Sequence, residues 1–422
     1  MFLGFKIMNL KLLKLDIIKL LLNNLYPISL YARRIAGAFC VFFIARYLSV
    51  HDYGLYASYA NIIGYLFLFA NLGYNEYILV SSQKNVNKVR IKQSIFIILG
   101  LFLCLFYSIT SCFVHLENHL VFLLIIYRSF FDGAFFGLAL PYFQAAKKFN
   151  QIAWINIFYS IGTILIALSA LIFKLSLVKF LTLCIILGLI NFIQCSIGTK
   201  INYFTIIKRP TIILKMIDKS IFTYMGVTLL MVTRDQLPSL SVSTLMTKEQ
   251  AALYFAAFNI ATIPSLFAAA QLQQIMPQMI KATADELVNI MKKSAFIIFC
   301  VNMLVIIFLV IFGKTLLLLL YDKTFYLNSY TLLILLSFIT TLQGVSGVLG
   351  FFITARGYQN FKLKCQIEFV IISIITILSI FRLGVYWLVL AFVIVQAYAI
   401  PRYGIFVYNE IERLRKGEIY SD

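Results

Sequence analysis

Long apolar runs separated by short polar segments dominate the chain. Each run is roughly as long as the ~20 residues that cross the hydrocarbon core of a bilayer as an α-helix. Twelve runs are visible, at residues 26–48, 54–80, 93–114, 118–144, 152–173, 180–198, 220–243, 251–279, 295–313, 330–354, 365–381 and 384–402. The gaps between them are too short for large soluble domains. The pattern predicts an all-α polytopic membrane protein with about twelve transmembrane helices.

The composition excludes a soluble enzyme. Of the 422 residues, 62% are hydrophobic and only 12% are charged, whereas soluble domains carry about 25% charged residues. Because the chain is so hydrophobic, its net charge of +20 is interpreted as that of a membrane protein. No nucleic-acid partner is expected. The seven cysteines are scattered and none forms a CxxC pair. No metal ligand set is visible, and neither a metal nor a cofactor is predicted.

The positions of lysine and arginine predict the orientation. Both termini and the even-numbered loops hold 25 of the 36 cations. The odd-numbered loops hold six, namely Lys174, Lys179, Lys248, Lys314, Lys323 and Arg382. Because cations of short loops stay on the cytoplasmic side, the amino and carboxyl termini are both predicted inside. This orientation requires an even number of spans.

One short motif occurs twice. Residues 55–62 (LYASYANI) open the second run and residues 253–260 (LYFAAFNI) open the eighth, with four of eight positions identical. The offset corresponds to six spans with the same orientation, which is the plan of transporters built from two parallel halves. The sequence therefore predicts two parallel six-helix bundles, residues 1–205 with a cytoplasmic amino-terminal tail and residues 206–422 with a short cytoplasmic tail.

Several motifs resemble those of a known family. Residues 45–49 (ARYLS) and 52–56 (DYGLY) resemble the amino-terminal signature of polysaccharide-export proteins. These belong to the multidrug/oligosaccharidyl-lipid/polysaccharide exporter superfamily. Residues 233–235 (TRD) and 319–325 (LLYDKTF) are similar to the equivalent region of the second half. The resemblance covers almost the whole chain, although its motifs are loose and hydrophobic.

The resemblance implies a function, which is an expectation at this point. Family members of this size are flippases that move undecaprenyl-pyrophosphate-linked oligosaccharide repeat units, of O-antigen or capsule, across the bacterial inner membrane by ion-coupled alternating access. The expected partners are the lipid-linked oligosaccharide and membrane lipids, with a polymerase and a chain-length regulator as further candidates. A multidrug antiporter of the same superfamily stays open. A membrane polymerase or glycosyltransferase is disfavoured because no outer loop is long enough for a catalytic site, and no enzymatic activity is predicted.

Charged residues inside the fourth and seventh spans are candidate site residues, since charge at membrane depth costs about 2.5–3.5 kcal/mol on insertion scales. Arg128 and Asp132 are four residues apart and share a helix face. They form either an ion pair that neutralises itself and packs the bundle, or a gated ion pair that lines a central cavity. Arg234 and Asp235 precede Pro238, which is expected to kink the helix. We assign Arg234 and Arg128 to substrate binding and Asp235 and Asp132 to ion coupling, with a structural tie as the alternative.

The first span adds further cations. Arg33 and Arg34 lie about two turns from the cytoplasmic edge, where they either extend to the membrane surface or meet the entering pyrophosphate. We assign both to substrate binding, because guanidinium offers forked donors and does not deprotonate. Arg46 lies close to the outer surface. All five cations assigned to spans are arginines, although the chain is lysine-rich elsewhere.

Overall fold

The described part of the chain is entirely helical in its regular elements. The structure, a computed structural model, describes residues 25–71, 86–111, 118–135, 142–143, 148–199, 219–265, 282–321 and 324–416, with isolated positions between 268 and 279. Twelve α-helices lie in these residues: α1 Leu25–Tyr47, α2 Val50–Asn71, α3 Val86–Ser111, α4 His119–Ala134, α5 Phe149–Phe173, α6 Leu177–Thr199, α7 Lys219–Leu245, α8 Lys248–Ala261, α9 Ala284–Tyr321, α10 Tyr330–Ala355, α11 Gln359–Ile380 and α12 Val385–Arg415. They correspond one to one with the twelve apolar runs.

The apolar surface of these helices fits a bilayer. Six helices, α5, α6 and α9 to α12, are long and apolar enough to cross a membrane, and shorter apolar segments lie in α1 and α3. Large apolar side chains such as Phe102, Ile197 and Ile394 are exposed on their outer faces. Extended apolar surface of this kind marks contact with lipid rather than water. The protein is therefore a polytopic membrane protein.

Two helices, α9 and α12, are much longer than their apolar runs predict. The ninth run covers residues 295–313, yet α9 extends from Ala284 to Tyr321, about 57 Å at 1.5 Å per residue. Its amino-terminal extension is polar but remains helical, because the Glu286 carboxylate accepts a hydrogen bond from the Thr283 amide at 2.9 Å and satisfies a free donor of the first turn. Hydropathy detects the part in lipid and misses such extensions.

The packing of the helices repeats after six elements. In the first half α1 packs along α5 and α4 along α6, and in the second half α7 packs along α11 and α10 along α12. The contacts of α3 with α4 likewise recur between α9 and α10. This recurrence matches the two six-helix bundles predicted from the repeated motif. The predicted boundary at residue 205 lies outside the described residues, and the orientation of the termini stays a prediction.

The two halves meet where α2 crosses α8, and the repeated motif lies at this crossing. Gly54 approaches the Lys248 carbonyl so closely that a Cβ atom would collide with it. The Tyr53 hydroxyl accepts a hydrogen bond from Asn259 Nδ2 at 3.1 Å. The Tyr53 ring also packs edge-on against Tyr326 at 6.1 Å between centroids. The motif is thus a helix-crossing element as well as a sequence marker.

Further polar contacts join α2 to α7 along its length. Asn61 Nδ2 donates to Ser243 Oγ at 3.3 Å, and the Tyr65 hydroxyl lies 2.7 Å from Thr233 Oγ1. These contacts extend from the end at which α1 passes into α2, here called the α1–α2 end, toward the middle of the bundle. In the described residues, the most extensive contacts between the halves are those of α1 and α2 with α7, α8 and α9.

Replacing Gly54 by Ala is expected to disrupt this crossing. Overpacking a tight contact costs about 1–3 kcal/mol, so the variant should have a lower apparent Tm. The matched control is Gly64→Ala on the same helix, where an added Cβ meets nothing within 4 Å. Thermal unfolding in detergent compares the two. Equal stability of both variants would contradict the role of Gly54 in the crossing.

Candidate functional site

A cavity with several polar side chains in its wall lies within the second half, between α7, α10, α11 and α12. Its volume is ≈ 120 Å³, which is room for several water molecules or a small anion. Its lining residues are Met231, Arg234, Asp235, Gln343, Ser346, Gly347, Gly350, Phe351, Thr354, Lys362, Gln366 and Tyr403. The sequence predicted Arg234 and Asp235 as site residues, and the structure places both on this cavity.

Arg234 is the buried cation at the centre of the cavity wall, with a side chain only 7% exposed. Its Nε and Nη2 both donate to Asp235 Oδ1, at 2.9 and 2.8 Å. Adjacent helical residues point about 100° apart, but the long guanidinium side chain bends back to its neighbour. The guanidinium also lies 5.6 Å from the centre of the Phe369 ring. Its Nη1 has no hydrogen-bond partner, which leaves a costly buried donor.

Asp235 is more exposed than Arg234, at 34% of its side chain. Its Oδ1 also accepts a hydrogen bond from Gln343 Nε2 at 3.3 Å, so α7 and α10 share this carboxylate. Pro238 lies inside α7 three residues later. Because proline lacks an amide proton, the Arg234 carbonyl receives no helical hydrogen bond from position 238. The charge pair therefore lies in a weakened segment of α7.

Lys362 is the cavity residue that sequence reasoning missed. It was counted among the cations of a cytoplasmic loop, but the structure places it in α11, only 4% exposed. Its Nζ donates to Thr354 Oγ1 at 2.7 Å. The available signal was the stripe formed by Lys362, Gln366 and Phe369, which recurs at helical spacing on one face. Lys362 therefore adds a lysine to the arginines assigned to the spans.

Gln366 adds a second orphaned polar atom to the same wall. Its Nε2 donates to the Tyr403 hydroxyl at 2.5 Å, while its Oε1 has no partner. Buried polar atoms of native proteins are nearly always paired. An orphaned acceptor and an orphaned donor on one cavity thus indicate a site built for a hydrogen-bonding ligand or for water.

The first half contains a second cluster, which brings three of the predicted residues together. Arg128 Nε lies 3.4 Å from Asp132 Oδ2, as expected for an i, i+4 pair. Arg128 Nη1 donates to the Tyr56 hydroxyl at 2.8 Å, and the Tyr159 hydroxyl donates to Asp132 Oδ1 at 2.5 Å. The pair is thus shared by α2, α4 and α5 and is not confined to one helix.

Arg33 of α1 completes this cluster. Its Nη1 donates to Asn156 Oδ1 and its Nη2 to the Asp132 carbonyl, both at 3.3 Å. The guanidinium lies over the Tyr159 ring at 4.0 Å and over the Phe135 ring at 4.5 Å. Stacking of this kind stabilises a desolvated cation. The side chain of Arg34 lies outside the described residues, so its assignment stays a prediction.

The two clusters have the same charge balance. In the first half Arg128 pairs with the Asp132 carboxylate while Arg33 donates to the Asp132 backbone carbonyl, and in the second half two cations likewise accompany Asp235. A third carboxylate, Glu368, pairs with Arg402 at 3.1 Å. In the spans that the structure describes, each of these carboxylates has an arginine partner, and cations are in excess. Glu76 lies outside the described residues.

Known structures share this fold. An inward-facing multidrug resistance MATE family transporter of the MOP superfamily superposes with a TM-score of 0.66 at 12% identity, covering 92% of this chain and 96% of that chain. An outward-facing MATE structure gives 0.63 at 14% identity, with coverages of 93% and 94%. The lipid II flippase MurJ, in an inward closed conformation, gives 0.62 at 13% identity, with coverages of 93% and 90%. At these identities the likeness is one of fold.

The sequence itself also matches a family. No protein of curated function is similar enough to match. Residues 26–277, more than half of the chain, match the model of a family described as polysaccharide biosynthesis protein. The match includes α1 to α8 and hence the crossing of the halves, the first charge cluster and the Arg234–Asp235 pair. The chain belongs to the polysaccharide biosynthesis protein family.

Proposed function

We propose that the protein is a flippase for undecaprenyl-diphosphate-linked oligosaccharide repeat units, of O-antigen or capsule, in the bacterial inner membrane. The observation that carries the proposal is the cavity of the second half, where two buried cations face one carboxylate and Arg234 Nη1 has no partner. Arginine matches the oxygens of a phosphate with forked donors. A diphosphate would supply the missing acceptors and balance the excess charge.

The size of the cavity limits which part of the substrate it accepts. Pockets for drug-sized ligands measure about 300–1,000 Å³, whereas this one measures ≈ 120 Å³. It fits the anionic group of the carrier and not a chain of sugars. The sugars would occupy the space between the halves once these separate. A polymerase and a chain-length regulator are proposed as further partners.

A multidrug antiporter is the second candidate, and the fold similarity to MATE transporters favours it. An organic cation needs an acidic site. Asp132 and Asp235 are each bound by an arginine in the described spans, and each stands beside a second cation. A cationic drug would therefore meet excess positive charge in both clusters. This charge balance favours the flippase over the antiporter.

Ion coupling is proposed to act through the Arg234–Asp235 pair. While Asp235 is ionised, it occupies Nε and Nη2 of Arg234. Proton or cation binding to this carboxylate would release the guanidinium for phosphate. Such differential affinity for the two states is what coupling requires. Asp132 would play the matching role for Arg128 in the first half.

Loss of the cavity cations should weaken substrate binding. A hydrogen bond to a charged group contributes about 1.5–3 kcal/mol, so Arg234→Ala should lower the affinity for undecaprenyl diphosphate by roughly 10- to 100-fold and abolish export. Arg234→Lys should restore part of both, because a point charge lacks the forked geometry. Lys362→Gln should also weaken binding. The measurements are equilibrium binding to purified protein and surface polysaccharide in cells.

Lys364→Gln is the matched control for Lys362, because Lys364 is exposed on the same helix. This variant should bind and export like the wild type. Normal export by Arg234→Ala would remove that residue from the site. Loss of the Arg234→Ala protein from membranes would instead support a structural role for Arg234, as a connection between helices.

The proposed orientation has its own test. A reporter active only in the cytoplasm should work when fused after Lys208 and fail when fused after Thr247. Charge asymmetry between loops is the physical basis of this expectation. The reverse pattern would overturn the predicted orientation.

Asp235→Asn should separate binding from transport. The amide mimics a neutral carboxyl group and no longer holds Arg234 as an ion pair, so undecaprenyl diphosphate should still bind while export is lost. Wild-type and variant proteins are compared across pH in both assays, with Asp285→Asn, an exposed cytoplasmic-end carboxylate of α9, as control. Normal export with unchanged pH dependence would exclude Asp235 from coupling. Loss of binding as well would make it a substrate contact.

A further inference from the structure

A second cavity lies at the α1–α2 end of the first half, between α1, α5 and α6. Its volume is ≈ 650 Å³, several times that of the cavity beside Arg234. Its lining residues are Arg46, Tyr47, Leu48, Leu171, Lys174, Leu175 and Ser176. Arg46 follows Arg33 by thirteen residues along α1, about 20 Å, so this cavity is separate from the first charge cluster. The proposed orientation places it at the outer surface of the membrane.

Two of the lining residues are cations and none is acidic. Arg46 lies in the last turn of α1, and Lys174 caps the end of α5. Cations are scarce at this end of the molecule, because the loops assigned to the outside hold only six of the 36. A cation at a helix carboxyl end offsets the dipole by about 0.3–1 kcal/mol. That effect alone does not require two cations on one cavity.

The backbone at Lys174 argues for a specific role of this side chain. Lys174 has a φ of 45°, and among the described residues no other non-glycine has a positive φ. Helices commonly end with glycine at such a position because glycine adopts it without steric cost. The chain accepts a strained lysine at this position. Strain of this kind clusters at functional sites.

Neutral groups of the cavity also suit an anion. Ser176 immediately precedes the first turn of α6, a helix of 23 residues, and the free amides at a helix amino terminus attract anions. The Ser176 hydroxyl accepts a hydrogen bond from the Lys179 amide at 3.5 Å and so caps this terminus. A guanidinium, an ammonium group, a hydroxyl group and a helix amino terminus therefore line one open cavity.

We propose that this cavity binds the phosphate group of a lipid in the outer leaflet. Its volume lies within the range of ligand pockets, about 300–1,000 Å³, and it adjoins exposed apolar side chains such as Ile172 and Phe173, which would contact the lipid tail. The phosphate has two sources, namely the diphosphate of the translocated carrier and a resident anionic phospholipid. The carrier source rests on the proposed flippase function, whereas the phospholipid source does not.

The test is protection of a cysteine placed in the cavity. Ser176 is exposed, so Ser176→Cys should react with a water-soluble maleimide in purified full-length protein in uncharged detergent. The reaction is followed by mass spectrometry of the peptide that carries residue 176, so that the native cysteines do not interfere. Undecaprenyl diphosphate, phosphatidylglycerol and inorganic pyrophosphate are added separately, with phosphatidylcholine as the neutral lipid. At least one anionic lipid should slow labelling about tenfold.

Two further variants assign the effect to the cations. Adding Arg46→Gln and Lys174→Gln should remove the protection, and Arg46→Lys alone should retain part of it. Thr244→Cys, exposed at the same end of the other half, should show no protection. Size-exclusion chromatography and the apparent Tm verify that each variant is folded. Should the Gln variant be unfolded, the Arg46→Lys variant decides through its partial protection.

Each pattern of protection has one meaning. Protection by undecaprenyl diphosphate alone supports the site and identifies the translocated carrier as its ligand. Protection by phosphatidylglycerol alone supports the site and identifies a resident phospholipid as its ligand. Protection by both anionic lipids supports the site and identifies lipid phosphate in general. The proposal is overturned if neither anionic lipid protects, if phosphatidylcholine protects equally, if pyrophosphate alone protects, if protection survives in the Gln variant, or if Thr244→Cys is protected equally.

Discussion

The close crossing of α2 and α8 determines how the two halves are arranged. Only a residue without a Cβ atom lets α2 approach the Lys248 carbonyl as Gly54 does. This approach brings the Tyr53 hydroxyl to Asn259 and its ring to the aromatic cluster of Tyr321 and Tyr326. The halves are therefore joined from the α1–α2 end to the middle. Alternating access, as proposed, requires this set of contacts to open while another forms toward the opposite end.

Desolvated charge is the second constraint, and it explains why both clusters are built from several helices. An arginine at membrane depth needs partners that the lipid does not supply. Arg33 donates to an amide oxygen and a carbonyl oxygen and lies over two aromatic rings. Arg128 pairs with a carboxylate and donates to the Tyr56 hydroxyl. These partners lie on α2, α4 and α5. The charges consequently connect α1, α2, α4 and α5 in addition to their apolar packing.

The sequence predicted the helices and the polysaccharide family but only part of the site. The lipid requires long apolar segments, and each of the twelve apolar runs contains a helix. The i, i+4 spacing of Arg128 and Asp132 predicted their pairing. Helix length outside the lipid is set by capping and water, which is why the ends of α9 were missed. Lys362 was misplaced because hydropathy treats a lysine near an interface as exposed. Its burial depends on contacts with Thr354 of α10 that no local pattern encodes.

The difference between the clusters indicates which half is prepared to bind an anion in this conformation. In the first half, oxygens accept hydrogen bonds from both guanidinium groups and rings cover Arg33, so an anion would have to displace protein groups. In the second half, Arg234 Nη1 and Gln366 Oε1 are unsatisfied beside an open space. An entering phosphate group would meet the unsatisfied Arg234 Nη1, in competition with the Asp235 carboxylate, which is 34% exposed, and with the neighbouring Tyr403 hydroxyl. A buried polar atom without a hydrogen-bond partner is costly unless the surrounding structure or a ligand offsets that cost. We therefore infer that the second half makes the first contact with the anionic group.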